Sequence, residues 1–473
     1  MKRKVVSLVM AAAMAATLFT GCGGNSGNAG GSAAGSTAGS ETSTAGSETG
    51  TTDSGDVKEL SFLDVSPSDS RTSYFESLFA KYEEETGIHV EYQSVPWDDA
   101  ANKIMALGNA GQMPDVITCW SGWLGQLSQA GWVEPLDDYI AGTEDEYTDA
   151  VVNIIWKSEQ TRYGHYYTVP DGLMVKGVYV RKDWCDEAGI TLDPKAGWTY
   201  DEYFDTVAKL TDKDKGRYGV SYRGARGALD PLLVYLQSFT GGATYDSEGK
   251  ILINSDECLQ AFEKWTDLYK NGYAPEDSIN WGFTEMVDNF KGGLTGTLIN
   301  DSEVAPSLID GMEDGTWMVM PMPKSTKDGV IYNTMNAPYA YAVSDQQGHK
   351  DAAWKLIQYM TASENQAEYC QMTGEIPIKK DAAEMDLYSE DGVYGAFLQQ
   401  MNDPNVAVPA TFGPFDYTEL HQGLFHEEIQ SYLLGDEDAK TALDNICNAL
   451  QERMDEYMAE NPDTQVETAL RMN

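Results

Sequence analysis

The sequence predicts an α/β fold, and three observations lead there. From about residue 57, short β-type runs alternate with amphipathic helical runs in the order β-α-β-α-β. The helical runs carry their own boundaries: Gly87 stops the first, and Thr199 with Glu202 opens another as a capping box. The chain has 473 residues, 42% of them hydrophobic, which is enough for two or three domains around a large core.

In order along the chain, ELSFLDV (59–65) begins as a strand and RTSYFESLFAKYEEETG (71–87) is a helix. IHVEYQSV (88–95) alternates with period two, as a half-buried strand does. DDAANKIMALGNAG (98–111) is a helix and PDVITCW (114–120) the next strand. In such a domain the ligand crevice lies outside the carboxyl ends of the strands, and Trp120 stands at one of those ends. A second series follows. Residues 166–184 read as extended, interrupted by Pro170 and Gly172, and the capping box starts a helix that runs to about Leu210. SDECLQAFEKWTDLYKNG (255–272) is a helix with Cys258, Phe262, Trp265 and Tyr269 on one face, which makes Trp265 a core residue. Residues 349–374 read as two consecutive helices, the second capped by Ser363 with Gln366. The last long helix, from about Asp436 to Ala459, buries Ala442, Ile446, Leu450 and Met454.

Acids outnumber bases 75 to 32, for a formal charge of -43. Such a surface repels phosphate backbones and anionic headgroups, so the sequence predicts no nucleic acid partner, and solubility is the simplest account of the acidity. At the N-terminus, Lys2, Arg3 and Lys4 precede a short apolar run from Val5 to Phe19 and then Thr20-Gly21-Cys22. The pattern is that of an export signal, 1–21, and too short for a membrane span. The cysteine directly after it resembles a bacterial lipobox with Cys22 as the lipidated residue, although Phe19 stands where leucine is usual. Residues 23–56 are almost entirely Gly, Ser, Thr, Ala and Asn, a flexible tether with a reach of about 30 Å. The other five cysteines, Cys119, Cys185, Cys258, Cys370 and Cys447, have long spacings and no C-x-x-C, and read mostly as buried thiols.

Several segments together resemble the family 1 extracellular solute-binding proteins of ABC importers, the group that includes maltodextrin-binding proteins. They are FAKYEEETGIHVEYQSVPWDD (79–99), MALGNAGQMPDVITCWSGWLGQLSQAGWVEPLDDYI (105–140), VPDGLMVKGVYVRKDWCDEAGI (169–190) with GWTYDEYFDTVAKLT (197–211), DNFKGGLTGTLIND (288–301), KDAAWKLIQYMTASENQ (350–366) and TGEIPIKKD (373–381). The resemblance covers nearly all of 57–460. It implies a two-lobed periplasmic-binding-protein-like fold (type II), with the ligand cleft between lobes joined by hinge strands near 168–178 and 334–343. The implied division is 57–170 and 335–385 for the first lobe, and 171–334 and 386–473 for the second. The implied function is that of an ABC transporter subunit, anchored to the outer face of the cell membrane. It captures a carbohydrate, closes on it and delivers it to the transmembrane permease subunits, as a monomer, without cofactor or catalysis.

Saccharides present apolar C–H faces for aromatic rings and hydroxyls for carboxylates and amides. Trp120, Ser121 and Trp123 align with a block that contributes ligand contacts in the resembling family, though a tryptophan ending a buried strand can equally seal the lobe. Trp97 and Asp98 stand where the second strand hands over to a helix, and Asp98 has the alternative role of an N-cap. Asp171 and Gly172 lie in the first hinge, where Asp171 either accepts a sugar hydroxyl or forms the turn before glycine. Trp281 and Phe283, in the polar context INWGFTEM, are expected to face the cleft. Asn300, Asp301 and Ser302 follow the apolar strand LTGTLI, and Pro338 and Tyr339 fall on the second hinge. Phe412 and Phe415 lie where the family returns to the second lobe, with Gly413 and Pro414 altering the usual spacing, so either ring is a candidate.

Two other classes stay open at this level. An anchored glycan-active enzyme would need only a carboxylate pair, although no G-x-S-x-G, P-loop or H-E-x-x-H is present: HEEIQ (426–430) has Gln430 in place of the second histidine, and no metal site is predicted. A binder of a non-sugar solute, such as a phosphate ester, would use arginines like Arg223 and Arg226, for which a solvated loop is the simpler account.

Overall fold

The computed structural model describes residues 57–471 except 384–387, 390, 391, 416 and 463; Cys22, the export signal and the tether lie outside the described residues. The strands are β1 (Glu59–Asp64), β2 (His89–Ser94), β3 (Val116–Trp120), β4 (Val169–Pro170), β5 (Met174–Val180), β6 (Thr297–Asp301), β7 (Met318–Met320), β8 (Ile331–Tyr332), β9 (Met335–Asn336), β10 (Tyr339–Val343), β11 (Val406–Val408) and β12 (Leu470–Arg471). They make two lobes. The first holds a five-stranded sheet in the order β2-β1-β3-β10-β4, and the second a sheet in the order β6-β5-β7, with β9 also paired to β5. A small sheet, β12-β11-β8, completes the set.

Hydrophobic alternation sets the first lobe. Helix α1 (Asp69–Thr86) connects β1 to β2, and α2 (Trp97–Ala110) connects β2 to β3, so that β1 pairs parallel to both neighbours. Phe62 of β1 meets Phe75 and Phe79 of α1 at ring-centroid distances of 5.0 and 5.2 Å. Helix α1 starts at Ser68, whose hydroxyl accepts the Arg71 amide, and stops at Gly87 in the left-handed region with φ 72°. A side chain there would be strained, which is why the sequence signal was reliable. The capping box at Thr199 and Glu202 forms as expected and opens the helix Tyr200–Leu210.

Some boundaries differ from expectation. The extended run ends at Val180, and Lys182–Ala188 is already helical. The helix Ser363–Thr373 has Ala362, not Ser363, as its N-cap; the Ser363 hydroxyl instead meets Asp381 Oδ1 at 2.5 Å. The last helix begins at Ala439 behind the cap Asp438 and buries Ala442, Ile446, Leu450 and Met454. Cys119, Cys185, Cys258, Cys370 and Cys447 are all buried free thiols. Among the described residues, no helix is long and apolar enough to cross a membrane.

The chain passes from β4 to β5 through Asp171-Gly172-Leu173, and from β9 to β10 through Ala337-Pro338. In the first sheet β10 runs antiparallel to β3 with Tyr339 opposite Trp120. In the second, β5 runs antiparallel to β6 with Lys176 opposite Asp301. The end of each sheet next to the crossings therefore carries Asp64, Trp120 and Tyr339 on one lobe and Lys176 and Asp301 on the other.

Candidate functional site

Four aromatic rings gather at the crossing end of the first sheet. Trp97 opens α2 directly after Pro96, is 41% exposed, and lies flat on Trp123 with centroids 5.1 Å apart and planes 19° apart. Trp120 and Tyr339 meet Trp97 nearly perpendicular, in edge-to-face pairs with centroids 5.6 and 5.7 Å apart. Trp123, half-buried, also packs against the first-lobe core cluster that includes Leu124 and Ile104. Ser121 is exposed, and its amide donates to the Pro338 carbonyl at 3.1 Å, which ties the strand end to the second crossing. The glycine between Ser121 and Trp123 has a steric reason: a methyl group on Gly122 would overlap the Trp120 ring. We expect Gly122→Ala to displace that ring and weaken ligand binding several-fold with little loss of stability, since Gly122 is exposed; calorimetric titration beside a thermal melt reads both.

Beneath Tyr339 lies a buried ionic group. Arg71 forks onto Asp64 at the end of β1, with Nη2–Oδ1 at 3.0 Å and Nε–Oδ2 at 3.4 Å. Its Nη1 lies 3.6 Å from Asp171 Oδ2, and Tyr369 donates to that same oxygen at 2.8 Å. Tyr92 adds a hydrogen bond to Asp64 Oδ2 at 3.1 Å. The guanidinium also lies 5.9 Å from the Tyr339 ring centroid, within cation–π range. Asp171 is 1% exposed, so the expectation that it offers its carboxylate to a ligand from the cleft surface is corrected: Arg71 and Tyr369 draw it inward. Gly172 is buried beside it, where a side chain would overlap the carboxyl of Glu375.

The second lobe supplies a polar rim. Asp301 is ion-paired with Lys176 at 2.7 Å, both partly exposed. Asn300 turns its Oδ1 to the Asp301 amide, leaving Nδ2 without a partner. Ser302 Oγ and Asp301 Oδ1 are likewise buried and unpartnered. Glu303 follows, half-buried, with no hydrogen bond among the described residues; burial pushes its carboxyl up to about 7, with Asp301 adding and Lys176 and Arg223 opposing. It is close enough to Tyr339 for its charge to act on that hydroxyl. Glu303 went unread in the sequence, yet it continues the same polar run, N-D-S-E, after the strand.

Two expected cleft residues, Trp281 and Phe412, lie in the core. Trp281 is 4% exposed and belongs to the main core, because the turn Glu276–Asn280 folds its ring inward; only Phe283, 40% exposed, meets solvent. Phe412 is 8% exposed and stacks on Phe425 at 5.0 Å, while Phe415 is half-buried. Arg223 folds back to donate to the Arg226 carbonyl at 2.8 Å. The side chain of Asp98 is outside what the structure describes.

The family described as bacterial extracellular solute-binding protein matches residues 67–367, more than half the chain. The chain belongs to that family. This solute-binding protein is 25% identical over 365 residues to a binding protein of Brucella abortus, covering 76% of this chain and 84% of the relative. It is 24% identical over 287 residues to the maltotriose-binding protein of Pyrococcus abyssi, covering 58% of this chain and 56% of the relative. The solved structure of the sugar-binding protein of Xanthomonas citri superimposes with a TM-score of 0.70 over 86% of this chain and 100% of that one, at 19% identity, a likeness of fold.

Proposed function

We propose that this solute-binding protein captures a carbohydrate between its lobes and hands it to an ABC permease, acting as a binding subunit without catalysis. One observation carries the reading: the rings of Trp97, Trp120, Trp123 and Tyr339 sit at the strand ends of one lobe, and the rim of the other carries three buried polar atoms without partners, Asn300 Nδ2, Asp301 Oδ1 and Ser302 Oγ. Rings suit the C–H faces of a sugar, and unpartnered amide, hydroxyl and carboxyl groups suit its hydroxyls. Relatives that bind maltotriose and other sugars support the ligand class. A lipid on Cys22 and the tether that follows would hold the protein, as a monomer, at the outer face of the membrane beside its permease, with 57–170 and 335–385 forming one lobe and 171–334 and 386–473 the other.

The test is a thermal-shift screen of the whole chain against mono- and oligosaccharides, polyols, amino acids and phosphate esters. A ligand at 100 times its dissociation constant adds about 2.7 kcal/mol of stability. We expect a saccharide or polyol to raise the midpoint; a shift confined to another class overturns the carbohydrate reading.

A further inference from the structure

The segment that follows the last helix touches both lobes. Residues 464–471 lead into β12, which pairs antiparallel with β11, Leu470 opposite Val408 and Arg471 opposite Ala407. The second lobe holds β11 in place. Asn333, directly after β8, donates its backbone amide to the Ala407 carbonyl at 3.0 Å and its side-chain amide to the Lys176 carbonyl of β5 at 2.8 Å. The loop after β11 is fixed to the same lobe: the Ala410 amide donates to the Gly242 carbonyl and the Thr244 hydroxyl to the Thr411 carbonyl, both at 2.8 Å. A side chain at Gly242 would overlap Ala469 and the Tyr332 ring, so the segment lies close on this lobe.

On its other side β12 lies beside the helical turn Val151–Trp156 of the first lobe. The helix that continues this turn, Lys157–Tyr163, is bound to the first sheet. Glu159 accepts the amides of Tyr167 and Thr168 at 2.8 and 3.2 Å, the Trp156 indole donates to the Thr168 carbonyl at 2.8 Å, and β4 begins at the next residue. Tyr163 packs against the same core cluster as Trp123. Arg162, beside Tyr163, therefore moves with the first lobe.

Glu467 joins the two. Its Oε2 accepts from the Thr411 hydroxyl at 2.7 Å and from the Thr411 amide at 3.2 Å, and its Oε1 is ion-paired with Arg162. One carboxylate thus holds a group of each lobe, each on its own oxygen. We infer that residues 464–471 form a strap between the lobes with Glu467 as its clasp, and that the strap biases the unliganded protein towards the lobe arrangement in which both ends are fastened. A rotation about the crossings at 171–173 and 337–338 moves Arg162 relative to Thr411, so the clasp cannot stay made throughout the motion. A ligand moves the lobes only through its difference in affinity between arrangements, and a contact present in one of them adds to or opposes that difference. The Arg162 and Glu467 side chains are 38% and 23% exposed, so dissolved salt screens the pair.

The inference rests on the two-lobed fold and on no ligand, so the test uses none. Spin labels on Glu76→Cys of α1 and Glu263→Cys of the second lobe, both exposed positions, report the lobe separation by electron-resonance distance measurement on the unliganded chain carrying Cys22→Ser; the described native cysteines are buried. We expect Arg162→Gln and Glu467→Ala each to lower the population at the parent's main distance, relative to all others, by roughly two- to five-fold. Thr411→Val should act in the same direction from the other end of the clasp. Arg162→Gln with Glu467→Ala should shift the ratio no further than the larger single change, because both remove the same ion pair. Molar salt should shift the parent and leave that double variant where it is. Parent-like distances in the variants, or single effects that add in the double variant, overturn the proposal. Compaction by a saccharide, with unliganded parent and variants indistinguishable, would leave the carbohydrate reading intact and sink this one.

Discussion

Replacing Arg71 with alanine should lower the unfolding free energy by about 3–5 kcal/mol, the largest loss we expect from a single polar side chain here. The residue is 7% exposed and faces Asp64 at 0% and Asp171 at 1%. Its removal leaves two carboxylates without their cation, and the Tyr369 hydroxyl loses a donor. Either the acids take up protons at a cost or water enters the crossing. Arg71→Lys should recover only part of the loss, because an ammonium is a point charge and cannot fork onto Asp64. Chemical denaturation at neutral pH reads the difference; a loss below about 1 kcal/mol for the alanine variant would mean that the group is already hydrated.

The second large effect concerns the rings. Trp120→Ala and Trp97→Ala should each weaken saccharide binding by about 2 kcal/mol, roughly 30-fold, with smaller effects on stability. Trp97 is 41% exposed and Trp120 half-buried, so each has surface to offer a ligand. Trp123→Ala should behave differently. That ring stacks on Trp97 and also packs against the first-lobe core, so its loss should lower stability by about 2 kcal/mol as well as affinity. Calorimetric titration and denaturation of the three variants separate the roles; equal affinity in all three and the parent would remove the aromatic cluster from the site.

How much of this was legible in the sequence depended on the range of the interaction. Features closed within one turn were readable: Gly87 as a helix stop, the Thr199–Glu202 box, the apolar face of the last helix, and the strand that ends at Trp120. Trp97, Trp120 and Tyr339 were each readable as standing at a strand end or hinge, but the contact of their rings, set by β10 pairing antiparallel to β3, was not. Partners far along the chain were not readable. Asp171 before Gly172 has the local chemistry of a turn or a ligand contact, and only Arg71, a hundred residues earlier, and Tyr369, nearly two hundred later, decide that it points inward. Trp281 sits in polar local sequence and Phe412 was placed by the family resemblance, yet tertiary packing buries both rings. The Ser363 hydroxyl found Asp381 instead of its own helix end, which leaves Ala362 as the cap. Glu303 is the converse case, a residue one step beyond the segment that drew attention, whose unpaired carboxyl becomes informative only when its neighbours are known.

The central claim is that the ligand is held between the lobes and draws them together. Solution scattering of the whole chain, with and without a saturating saccharide or polyol selected by the thermal-shift screen, tests it most directly. The account predicts a smaller radius of gyration on saturation, with Trp120→Ala needing a correspondingly higher ligand concentration to reach it. A radius unchanged at full saturation would contradict it.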